Sequence, residues 1–207
     1  MPASAELDKA IGLLVDALDY TGGVLADLDD DAPALSLPTP CGEWDLGELL
    51  AHMEDALDAF AEGAGGAVSL QPRIPVVART EALRLKACAL LGAWSSERPE
   101  QVTIGDQAVP TSVVAVAAAL EITVHGWDVA RAIGRERPIP DHLAASLLPV
   151  ADALVFPHDR GALFGPVLGV PDDSSAEVHL LAFLGRDRSI PPASFQVNPG
   201  TGPLIAS

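Results

Sequence analysis

Cysteine is scarce: Cys41 and Cys88 are the two in 207 residues, too few for a disulfide framework and without the spacing of a Cys-pair metal site. Cations are scarce as well. Twelve Lys and Arg stand against 29 Asp and Glu, a formal net charge of −17. Such a field repels phosphate backbones and anionic lipid, so neither nucleic acid nor a membrane surface is expected as a partner. The most apolar stretch, near Val113–Leu120, is far too short to span a bilayer. No basic segment followed by an apolar one opens the chain as a secretory leader would, and no internal repeat or low-complexity tract is visible. The expectation is a soluble, cytoplasmic, acidic globular protein, long enough to bury a core without disulfides or metal.

What is there is helical periodicity. Leu7, Ile11, Leu14, Leu18, Leu25 and Leu28 repeat at helical spacing with acidic residues on the other faces, and Gly22-Gly23 weakens that helix. Asp29–Pro33 ends it, and Pro38–Gly42 keeps the chain extended. Asp45, with Glu48 three residues on, predicts a capping box opening a second helix. Its seam is Leu46, Leu49, Leu50, Met53, Leu57 and Phe60, and Gly63–Gly66 stops it. A third helix is expected from about Val76 to Trp94. A small hairpin or extended excursion follows over Val102–Val109 around Gly105-Asp106. The fourth helix starts after Pro110-Thr111 and lasts to about Gly134; the fifth runs from near Asp141 to before Pro157. A loop over Phe164–Pro171 leads to a last helix, Glu177–Leu184, closed by Gly185. Long helices between breakers, with little strand signal, define an all-α bundle. Residues 1–160 are expected to form it, and 161–207 a C-terminal extension packed on it, not an independent domain.

The fourth helix carries the chemistry. From Gln107 to Leu120 there is no formal charge, and a helix apolar all round is normally enclosed by its neighbours. Glu121, His125 and Asp128 then follow at spacings of four and three, on one stripe of that helix. A buried carboxylate must be neutralised, paired or bound to a cation. Spacing alone leaves two readings open: a hydrogen-bonded Glu–His pair, the commoner outcome, or two ligands of one ion. His52 is the best candidate for a third ligand, because it interrupts the apolar residues of the second helix beside the small Ala56 and Ala59, although a lone imidazole there is more commonly a hydrogen-bonded core residue. Two imidazoles and a carboxylate suit zinc and leave a fourth position for water or substrate. Asp128 reads either as an acceptor orienting a ligand imidazole or as a helix-surface aspartate.

Other residues are assigned quieter roles. Cys41 precedes the second helix, but roughly 9 Å of axial rise separates that helix's start from His52, so packing is expected of it rather than ligation. Cys88 is expected in the core. Arg79, Arg84, Arg131 and Arg135 are candidates for holding a substrate carboxylate or for surface pairing. His142, His158 and His179 are expected to be solvated or locally bonded, and Trp127 to pack beside the site.

Pro38-Thr39-Pro40-Cys41-Gly42-Glu43-Trp44-Asp45, leading into Leu49-Leu50-Ala51-His52, resembles the entry to the second helix of mycothiol-dependent maleylpyruvate isomerase-like proteins, members of the DinB-like superfamily of metal-binding four-helix bundles. Glu121–Ala130 looks like the same family's E-xxx-H-x-W-D block. Phe164-Gly165-Pro166-Val167 and Leu180–Asp187 are similar to the tail of one branch, so the likeness runs in patches from about residue 6 to 188. It implies a DinB-like bundle in which His52, Glu121 and His125 bind a divalent metal, usually zinc, with a low-molecular-weight thiol such as mycothiol as cosubstrate. The function implied is an S-transferase or isomerase acting on a small electrophile. A homodimer is in keeping with the superfamily. The characterised isomerases carry a further C-terminal α/β domain where only a short tail follows the fifth helix here, which tells against maleylpyruvate itself. Two other classes stay open: a metal-binding bundle without catalysis, and a metal hydrolase with Asp128 as base.

Overall fold

The computed structural model describes residues 2–28, 35–42, 44–65, 79–96, 99–161 and 163–188. Among the described residues six helices dominate: α1 (Pro2–Leu25), α2 (Leu46–Gly65), α3 (Arg79–Ser96), α4 (Thr111–Ala132), α5 (Asp141–Leu154) and α6 (Ala176–Phe183). A two-stranded antiparallel hairpin, β1 (Gln101–Ile104) and β2 (Gln107–Pro110), sits between α3 and α4. Its turn is Gly105-Asp106, with Gly105 at φ +59°, the positive φ that a two-residue hairpin asks of its first central residue. The protein is all-α with a DinB-like bundle. The expected breakers Asp29–Pro33, the first turn assigned to the third helix (Val76–Ala78) and the tail from residue 189 lie outside the described residues.

Local chemistry sets the helix boundaries. The amide of Asp45 donates to Glu48 Oε2 at 3.0 Å and the amide of Glu48 to Asp45 Oδ1 at 2.8 Å, the reciprocal capping box that the sequence predicts. At α6 the hydroxyl of Ser175 accepts from the Val178 amide, and Gly185, at φ +76°, ends the helix.

The central element is α4. α1 packs along it on one side and α2 on another, α3 covers α2, and α5 with α6 closes the remaining flank. Its length and hydropathy would allow it to cross a membrane, but 78% of that stretch is buried within the protein, and the apolar run is accounted for as a core helix. Ala115, Ala118 and Ala119 of α4, Leu14 of α1, Leu49 of α2, Leu90 of α3 and Leu147 of α5 are completely buried in one core, and burying each leucine contributes about 1.5–3 kcal/mol. Gly126 sets the approach of α1: a Cβ there would collide with the hydroxyl of Thr21. That hydroxyl donates to the Ile122 carbonyl at 2.8 Å.

Candidate metal centre

Three side chains from two helices converge. α2 projects His52 and α4 projects Glu121 and, one turn on, His125. His52 Nε2 lies 2.6 Å and His125 Nε2 3.1 Å from the same oxygen, Glu121 Oε1. One donor atom from each of the three falls within 4.8 Å of the others. Donors about 2.0–2.1 Å from a tetrahedral zinc stand roughly 3.3 Å apart, so an ion in place of the hydrogen bonds needs only small side-chain adjustments. The donor set fits a divalent metal.

The cluster is graded from wet to dry. The side chains of His52 and Glu121 are 37% and 32% exposed, that of His125 only 8%, and Asp128 is fully enclosed. His125 Nδ1 faces Asp128 Oδ2 at 3.1 Å, so the proton placed between them leaves Nε2 turned towards Glu121 and His52. Burial alone would discharge these groups, but their contacts prevail. Hydrogen bonds to Asp128 and Glu121 push His125 up to about 9. Bonds to His125 and His52 hold Glu121 far below the ordinary carboxylate range. The Arg186 guanidinium and His125 keep Asp128 ionised.

Arg186, whose own chemistry the sequence reading leaves unexplored, is 5% exposed. Its Nη2 donates to Asp128 Oδ2 at 3.0 Å and to Cys41 Sγ at 3.5 Å, and its Nη1 donates to the Leu184 carbonyl at 3.3 Å. Cys41, His125 and Asp128 form a second convergent trio, but this guanidinium already supplies their cation. Cys41 is therefore a half-buried residue at the site, not remote packing: the loop before α2 folds back over α4, which axial rise along α2 could not show. Burial and the charge of Asp128 push its thiol up to about 11 against the pull of Arg186. Cys88 corrects a second expectation, because it is exposed on α3 and not in the core.

The cluster opens into a cleft of about 960 Å³. Leu120 and Val124 of α4, Leu154 and Val155 at the end of α5, and Leu163 and Phe164 from the following loop line it, together with Trp44. The Trp44 ring centroid lies 4.8 Å from that of His52 and 6.5 Å from that of His125. Trp127 is buried, under the Arg131 guanidinium, and does not face the cleft. Nor do Arg84, Arg131 and Arg135 line it; the side chain of Arg79 lies outside the described residues. Arg84 pairs with Glu81 and Arg131 donates to the Arg188 carbonyl. His142 and His158 are largely solvated, and His179 Nε2 lies 3.4 Å from the Asp172 carbonyl oxygen.

A helical bundle with two histidines and a glutamate gathered beside an open cleft defines the class. Residues 14–130 match the mycothiol maleylpyruvate isomerase N-terminal domain family, and the chain belongs to that family. Two proteins of Mycobacterium tuberculosis, Uncharacterized protein MT0763 (strain CDC 1551 / Oshkosh) and Uncharacterized protein Rv0738 (strain ATCC 25618 / H37Rv), are each 28% identical over 174 residues, covering 82% of this chain and 93% of their own. The crystal structure of a mycothiol-dependent maleylpyruvate isomerase superposes with a TM-score of 0.53 at 17% identity, covering 69% of this chain and 67% of the other. A mutant of that enzyme gives 0.54 at 16% over the same shares. These likenesses show a shared fold.

Proposed function

We propose that this protein is a metal-dependent enzyme that uses a thiol of the mycothiol type as cosubstrate, either transferring it to a small electrophile or isomerising the electrophile through it. The observation that carries this reading is the meeting of His52 Nε2, Glu121 Oε1 and His125 Nε2 at one point on the wall of a large open cleft. His52, Glu121 and His125 would hold the ion, and zinc suits two imidazoles with one carboxylate. A divalent ion there would supply the positive charge that keeps a thiol deprotonated at neutral pH.

The chain's own groups do the rest. Asp128 holds the Nδ1 proton of His125 and so keeps Nε2 aimed at the ligand point. Fully enclosed and bonded to His125 and Arg186, Asp128 does not face the cleft, which weighs against it as the base of a hydrolase. The apolar walls would accept an uncharged body, while Trp44 offers a ring face beside His52. At about 960 Å³ the cleft is at the upper end for small-ligand sites, with room for thiol and electrophile together. Membership of the mycothiol maleylpyruvate isomerase N-terminal domain family supports a thiol of that type. Such chemistry belongs in the reducing cytoplasm.

Cobalt- or cadmium-loaded protein titrated with mycothiol tests the reading. A thiolate-to-metal charge-transfer band that saturates with thiol is expected. An unchanged spectrum overturns the thiol role, and protein that takes up no metal overturns the whole assignment.

A further inference from the structure

We propose that Arg186 is a positioning residue for this site, coupling the C-terminal segment to ion affinity through Asp128 and His125. The proposal rests on the metal reading above, and it concerns a residue outside the 14–130 stretch that matches the family.

Arg186 brings a charge into a place where charge is costly. It is 5% exposed against an Asp128 that is not exposed at all, and burial of both is tolerable only with good geometry and further hydrogen bonds. The geometry is two-pronged: Nη2 to Oδ2 at 3.0 Å and Nε to Oδ1 at 3.4 Å, the fork that arginine presents to a carboxylate. Nη1 and Nη2 also donate to the Leu184 carbonyl and Cys41 Sγ. Those bonds tie the guanidinium to the protein on the border of the cleft, which Arg186 also lines.

Its placement is fixed by backbone. The amide of Arg186 donates to the Leu181 carbonyl at 2.8 Å as α6 ends. Gly185 adopts φ +76°, and a Cβ there would collide with Gly165. Arg160 ties the same two segments, donating from Nη1 to the carbonyls of Gly165 and Phe183 at 3.0 and 2.9 Å. The turn that presents Arg186 is thus held between two neighbouring stretches of chain. One oxygen of Asp128, Oδ2, serves both Arg186 and His125 Nδ1. The guanidinium fixes the carboxylate, the carboxylate fixes the ring, and the ring's other nitrogen faces Glu121.

Zinc affinity, measured by competition with a chromophoric chelator, tests the coupling in Arg186→Met, Arg186→Lys, Asp128→Asn and the double variant Asp128→Asn/Arg186→Met. Arg186→Met is expected to weaken binding by no more than the roughly 10–100-fold that loss of Asp128, the partner bonded to the ligand, would cause, and Arg186→Lys to restore part of it. The double variant, which leaves neither member of the buried pair as an unpaired charge, should bind no more weakly than Asp128→Asn alone. Wild-type affinity in a folded Arg186→Met protein would reduce the residue to a structural clamp. Losses that multiply in the double variant would show that it does not act through Asp128. Should wild-type protein take up no zinc, the metal reading falls by itself. The positioning is then read in metal-free protein from the ring-nitrogen NMR shifts of His125. Arg186→Met should displace the Nδ1 resonance as Asp128→Asn does, and an unmoved resonance overturns the proposal.

Discussion

His52 Nε2 and Glu121 Oε1 stand 2.6 Å apart although 69 positions separate them in the chain. Neither the α2 residue nor the α4 residue can form a centre alone, and their meeting depends on how closely those two helices pack. Removing either donor by His52→Ala or Glu121→Gln should abolish zinc uptake, a larger loss than the roughly 10–100-fold expected for an outer partner such as Asp128. Elemental analysis of purified protein measures it, and wild-type zinc content in either variant would remove the centre from this site.

The pairings also set a pH profile for metal-free protein. His125 titrates near 9 in the folded chain against about 6.5 unfolded, so its stabilising contribution is complete below 6.5 and is lost as pH rises through 9. Glu121 and Asp128 are depressed, so theirs is present above the ordinary carboxylate range and is lost on acidification below it. Melting temperature in chelator should therefore be highest between about pH 4.5 and 6.5 and decline towards 9. With zinc bound the ion replaces the proton, and the alkaline decline should vanish. A flat profile for metal-free protein over pH 6.5–9 would contradict the pairing.

Trp44 is 38% exposed at the cleft, whereas Trp94 and Trp127 are 1% and 3% exposed. Occupation of the cleft by a thiol should thus change the fluorescence of Trp44 almost alone. The change should be absent in Trp44→Phe, and its persistence there would place binding elsewhere.

The two thiols should label at different rates. Cys88 is exposed and should react with iodoacetamide first. Cys41, half-buried with a pKa of about 11, has only about a thousandth of its thiol ionised at pH 8 and should react far more slowly. Mass spectrometry of a Cys88→Ser variant isolates the slow site, and rapid labelling of it would refute the environment described for Cys41.

Gly126 is where α1 and α4 nearly touch. Gly126→Ala drives a Cβ into the Thr21 hydroxyl and should cost about 1–3 kcal/mol, a fall in melting temperature of several degrees. Thr21→Ala should recover part of that loss in the double variant. An unchanged melting temperature for Gly126→Ala would show that the helices can separate freely.

Much of the fold was legible because its signals are local. The Asp45/Glu48 box, the Gly105-Asp106 turn and Gly185 each act within a few residues, and the structure has all three in their expected roles. Cys41 and Arg186 were not legible in the same way. Their contact spans 145 positions, and nothing in the spacing of either residue points to the other. Cys88 misled because a small apolar residue inside a helix reads as core, while only packing decides which face is covered.

By itself, the order of residues determined the helices, their caps and the stripe that sets Glu121, His125 and Asp128 on one side of α4, since 3.6-residue periodicity and end chemistry need no distant partner. The tertiary structure decided which imidazole joined them, which carboxylate oxygen was shared, and which arginine backed Asp128. Those outcomes depend on distances of 2.6–3.5 Å between segments far apart in the chain, and such distances are set by helix packing and loop return.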